Sequence, residues 1–120
     1  DMAGTIVYLT ISFLVCLGFV LLGIRQYRAK KPVTINTGEK PPREEELTSV
    51  AEWNRWHGRN FIILGCSMFL TLSVFAYVME KLDGGVLPAV ILLLALFAEI
   101  GWVMQEQRVM KKTMIKSASV

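Results

Sequence analysis

Charged side chains are scarce in this 120-residue chain: Asp, Glu, Lys and Arg make up 19% of it, and three long apolar runs hold almost none of them. A soluble domain carries roughly a quarter. Hydrophobic residues reach 53% and the mean hydropathy is +0.46, so the charge is segregated and not merely diluted. That pattern excludes a disordered chain, a secreted disulfide scaffold and a cytosolic enzyme. Cysteine and histidine are scarce too. Cys16 and Cys66 lie far apart with no CxxC spacing, and His57 is the only histidine, so neither a disulfide nor a metal site is expected. A Ser-His-Asp set, a Gly-rich phosphate loop and paired carboxylates within the apolar runs are all missing. The expectation is a protein that is not an enzyme, with no catalytic residues and no cofactor.

What is present is three runs of spanning length, residues 6–24, 61–79 and 86–104. About 20 residues rising 1.5 Å each cross a hydrocarbon core of about 30 Å. The first run has no basic region before it and no Ala-x-Ala site after it, which reads as a span and not a cleavable signal. The predicted fold is all-α: a polytopic membrane protein of three transmembrane helices, with a cytoplasmic extension of helix two. Its parts are a first transmembrane helix at 1–25, a cytoplasmic loop at 26–48, and a juxtamembrane helix continuous with the second transmembrane helix at 49–80. An external hairpin at 81–85, a third transmembrane helix at 86–107 and a basic cytoplasmic tail at 108–120 complete it. Gly84-Gly85 supply the reversal and Pro88 falls in a first helical turn, where its missing N–H costs nothing. Ser49-Val50-Ala51-Glu52 fits a capping box, so a helix is predicted to start there.

Twelve of the thirteen basic residues lie between the first and second apolar runs or after the third, and only Lys81 lies on the other side. This bias predicts an N-terminus outside and a C-terminus in the cytoplasm. Arg25, Arg28, Lys30, Lys31, Lys111 and Lys112 are candidate contacts for the anionic head groups of the bilayer. The aromatics among the basic residues form no nucleic-acid module, so no nucleic-acid partner is expected.

From Val50 a stripe of Trp53, His57, Phe61, Leu64, Ser67 or Met68, and Thr71 recurs at spacings of three and four, running from the juxtamembrane helix into the second span. One continuous helix is the favoured account. The competing picture kinks it at Gly58 and lays Trp53 and Trp56 along the water–lipid boundary. Val50, Trp53, Asn54, Trp56, His57 and Gly58 form the predicted interaction surface of this helix. The segment Asn36-Thr37-Gly38-Glu39-Lys40-Pro41-Pro42, followed by Val50-x-x-Trp53-Asn54-x-x-x-Gly58 leading into a span, resembles a pattern in uncharacterised small bacterial three-span membrane proteins. That family usually has tyrosine where this chain has Trp53. The resemblance implies the same architecture and the bacterial cytoplasmic membrane; it carries no reaction and no functional residue.

Glu99 is the one acid inside an apolar run. An acid at mid-span costs about 2.5–3.5 kcal/mol on insertion scales, so its carboxyl must be protonated, paired or wet. Ser67 or Thr71 is predicted to donate to it. Three readings stay open: a hydrogen-bonded carboxyl joining helices or protomers, a proton or cation site whose pKa is raised by desolvation, or a side chain snorkelling to the interface. Ala95, Ala98 and Gly101, Gly18 and Gly23, and Gly65 mark faces where helices can approach closely. The leading expectation is therefore a small membrane protein that forms a homo-oligomer or an accessory subunit, assembling through the juxtamembrane helix. The alternatives are an oligomeric channel or proton-linked transporter using Glu99, and a holin-like pore. Small multidrug exporters are similar in size and in having one membrane acid, but they have four spans and carry that acid in the first.

Overall fold

A computed structural model describes residues 1–34, 40–82 and 85–116. Among them are three α-helices, α1 (Met2–Arg28), α2 (Val50–Lys81) and α3 (Val86–Met114), and a single 3-10 turn at Glu44–Glu46. All three helices are long and apolar enough to cross a membrane, which makes the chain all-α and polytopic. Asp1 caps α1 by accepting from the Gly4 N–H. Ser49 caps α2 by accepting from the Glu52 N–H at 3.2 Å, the serine half of the predicted box. Pro88 falls in the first turn of α3, behind Gly85 at φ 60°, a conformation that favours glycine. Asp83 and Gly84, the rest of that hairpin, lie outside the described residues.

α2 is unbroken through Gly58, so the kinked alternative is set aside. It packs against both other helices. Along the seam with α1, antiparallel pairs meet in order: Tyr8 with Phe75, Phe13 with Phe69, Phe19 with Phe61, and Gly23 with Gly58. The glycines allow backbone contact there: a Cβ on Gly23 would fall 2.6 Å from the Gly58 carbonyl oxygen, and one on Gly65 would fall 2.7 Å from that of Cys16. Gly18 and Gly101, also read as packing positions, have open space around them instead.

Two boundaries differ from the sequence reading. α1 continues through Arg25 to Arg28, and α3 continues to Met114, so most of the basic tail is helix. The reason is apolar periodicity: Val103, Gln107, Met110 and Met114 are buried at spacings of four, three and four, and the lysines between them face outward or flank the seam. After Met114 the chain returns beside the loop. Thr48 N donates to Met114 O at 2.8 Å and Lys116 N to Glu46 O at 2.7 Å, an antiparallel bridge between Leu47 and Ile115.

Candidate functional site

At the basic end these elements close into a small cap. Leu47, Trp53, Met110 and Met114 form its apolar centre, with Val33, Val50, Trp56 and Ile115 packed around them. Trp53 is 0% exposed, and its indole N–H donates to Val33 O at 2.8 Å. Asn54, also 0% exposed, has three partners. Its amide donates to Ala29 O at 3.1 Å and Lys31 O at 2.9 Å, and its oxygen accepts from Val33 N at 3.1 Å. The segment leaving α1 has no secondary structure of its own, and this one side chain satisfies backbone groups that burial would otherwise leave without partners. Nearby, the Arg43 backbone N–H and guanidinium bond Glu46 and hold its carboxyl below the usual range.

The predicted interaction surface is thus corrected. Trp53, Asn54, His57 and Gly58 are buried inside the chain and Val50 packs on its core, because three other segments converge on that face of α2. The residues of the Val50-x-x-Trp53-Asn54-x-x-x-Gly58 pattern act as packing anchors, loop clamp and helix-contact point. Trp56 is half-buried: its indole N–H donates to Glu106 at 3.0 Å, and the Arg59 guanidinium lies over its ring at 5.7 Å and 3.8 Å from the same carboxylate.

One turn outside the apolar stretch, His57 stacks on Phe61 at 5.3 Å, and its Nδ1 meets Gln26 Oε1 at 3.0 Å. Burial alone drives the imidazole pKa from 6.5 to about 4, so the folded state holds the ring neutral. The unfolded chain therefore takes up this proton first as pH falls. His57 contributes its full stability above pH 6.5 and loses it as the pH drops toward about 4. The magnitude is on the order of 3 kcal/mol. Unfolding in detergent followed across that window is expected to show a falling midpoint, and His57→Gln a flatter profile.

Midway along α2 and α3 the sequence expectation for Glu99 holds. Ser67 Oγ donates to Glu99 Oε2, and Thr71 Oγ1 donates to the same oxygen at 3.2 Å. Arg59 and His57, nearer the basic end of α2, are engaged with Glu106 and Gln26 instead. Glu99 Oε1 is buried with no hydrogen-bond partner among the described residues. Beside it lies an open apolar groove of about 240 Å3, walled by Ile63, Leu64, Ala98 and Trp102. The side chains of Arg25, Arg28, Lys30, Lys31 and Lys112 are exposed at the basic end, while Lys111 is half-buried beside the cap. Among the described residues no cluster of His, Cys, Asp and Glu could hold a metal.

Sequence reading missed Gln26, Asn60 and Glu106. Gln26 and Glu106 lie opposite His57 and Trp56 of α2, and Asn60, on α2 itself, donates to Met110 Sδ at 3.8 Å. Comparisons with family models, curated proteins and solved structures find no match.

Proposed function

We propose that this chain is a non-enzymatic bacterial inner-membrane protein that works by assembly within the bilayer, as a homo-oligomer or an accessory subunit. One observation supports this reading above the others: the apolar stretch of α3 has almost no burial within the chain. In its most apolar window 6% of residues are buried, against 17% in α1 and in α2. Lipid covers such a face adequately, but Ala98 and Gly101 are exposed on it beside Glu99 and Trp102, where small residues let a second helix approach. The juxtamembrane helix gives rigidity to the cap, and the surface offered to a partner is α3. The basic bias supports a cytoplasmic cap and an external N-terminus. The resemblance to small bacterial three-span proteins supports the location.

A second reading, a proton or cation site at Glu99, is favoured by the unpartnered Oε1. One pair of experiments separates the two. With Cys16 and Cys66 replaced by alanine, Gly101→Cys is expected to cross-link between copies in membranes, and a monomer at all protein densities would rule out self-assembly. Glu99→Gln keeps an acceptor for Ser67 and Thr71, so cross-linking is expected to persist in it. A pH-driven cation flux in proteoliposomes that Glu99→Gln abolishes would establish the second reading in place of the first.

A further inference from the structure

Where α1 ends and α2 begins, the two helices leave an open groove of about 510 Å3 whose lining includes Tyr27, Arg28, Lys30, Val50 and Arg55. Among the described residues no acidic side chain lines it. The ion pairs at this end, Arg43 with Glu46 and Arg59 with Glu106, involve other residues. Among the described residues Arg28, Lys30 and Arg55 have no ion pair or side-chain hydrogen bond. Three uncompensated cations converging on one groove repel one another, and an anion between them would offset that repulsion.

Depth identifies the anion. Arg28 lies four residues beyond the first apolar run, and Arg55 six residues before the second. At 1.5 Å per residue these are about 6 and 9 Å outside the hydrocarbon, the level of phospholipid head groups. Tyr27, 47% exposed, adds an aromatic ring at the same boundary. Leu21 and Ile24, seven and four residues before Arg28 and both exposed, continue that face of α1 toward the membrane interior.

We propose that this groove is a binding site for the phosphate of an anionic glycerophospholipid. Arg28 and Arg55 present guanidinium forks to its oxygens, and Lys30 acts as a point charge beside them. The acyl chains lie along Leu21 and Ile24. This differs from a general attraction of the basic run at 25–31 to a charged surface. Arg55 belongs to another helix and is brought to Arg28 by the seam at Gly23 and Gly58. The proposal does not depend on the assembly reading.

The full chain, delipidated in a neutral detergent, would be titrated with phosphatidylglycerol or phosphatidylcholine and retained lipid counted by native mass spectrometry. Preferential retention of phosphatidylglycerol is expected, reduced about fivefold by Arg55→Gln and similarly by Arg28→Gln, the loss typical of one basic residue at an anionic surface. Arg108→Gln, an equal change of net charge outside the groove, is expected to leave retention unchanged. Equal retention of both lipids would overturn the proposal, as would equal losses from Arg55→Gln and Arg108→Gln. Displacement of phosphatidylglycerol by inorganic phosphate at matched concentration would overturn the lipid assignment in favour of a soluble phosphate ligand.

Discussion

Trp53→Ala is expected to lower the unfolding free energy by about 3–5 kcal/mol, the range for removing a fully buried Trp or Phe ring. The side chain is 0% exposed and touches segments from three parts of the chain: the irregular stretch at Val33, the return at Leu47, and the last turns of α3 at Met110 and Met114. Truncation leaves a cavity among groups that the loop and helix ends hold in place, and it leaves the Val33 carbonyl without its 2.8 Å donor. Two controls divide the effect. Trp53→Phe keeps most of the ring and loses the N–H, so a cost of about 1–2 kcal/mol is expected. Trp56→Ala removes a half-buried ring with a single hydrogen bond to Glu106, and it too is expected to cost less than Trp53→Ala. Denaturant titration in micelles, followed by circular dichroism, measures all three. Amide exchange at Thr48 and Lys116 is expected to accelerate in Trp53→Ala, because their bonds to Met114 and Glu46 close the cap that the indole fills. A Trp53→Ala protein as stable as Trp56→Ala would mean that the cap does not depend on this ring.

The spans, the Ser49 cap, the continuity of α2 and the pairing of Glu99 with Ser67 and Thr71 were all legible in the sequence. Each follows from local chemistry: an apolar run of bilayer length, a hydroxyl three residues before a free N–H, or a costly acid with only a few donors at its level. The stripe through Trp53, His57 and Phe61 was legible as well, but its destination was not. A periodic apolar face must be covered by something, and periodicity does not say whether that is a partner, a lipid surface or the chain itself. The decisive partners were obscured. Gln26 lies past the end of an apolar run, where it reads as the start of a loop, and Met110 and Met114 stand among Arg108, Lys111 and Lys112, where charge masks their spacing. Glycine was ambiguous for a similar reason. Gly58 and Gly101 look alike in one dimension, yet one lies against a neighbouring backbone and the other faces open space.

Gly58→Ala is accordingly expected to destabilise the fold by about 2 kcal/mol or more, while Gly101→Ala is expected to be neutral or slightly stabilising. Helix propensity favours alanine at both sites by about 0.8–1.0 kcal/mol, so any difference in sign must come from packing. At Gly58 a Cβ would fall 2.6 Å from the Tyr27 nitrogen and 2.9 Å from its Cα, and would also meet the Gly23 carbonyl oxygen. All of these are backbone atoms, and no side-chain rotation relieves them. α1 must move away along the seam, loosening the His57–Gln26 contact and the three bonds of Asn54 to the segment that follows. Within a membrane the loss is not recovered by hydrophobic burial, since lipid solvates the separated faces about as well as they solvate each other. The proposed phosphate groove gives a second readout, because it exists only where α1 and α2 hold Arg28 and Arg55 together. Gly58→Ala is thus expected to lower phosphatidylglycerol retention without altering a single charge, and Gly101→Ala to leave it intact. Equal stability of the two variants in a denaturant titration would show that the close approach of the helices is not what holds them.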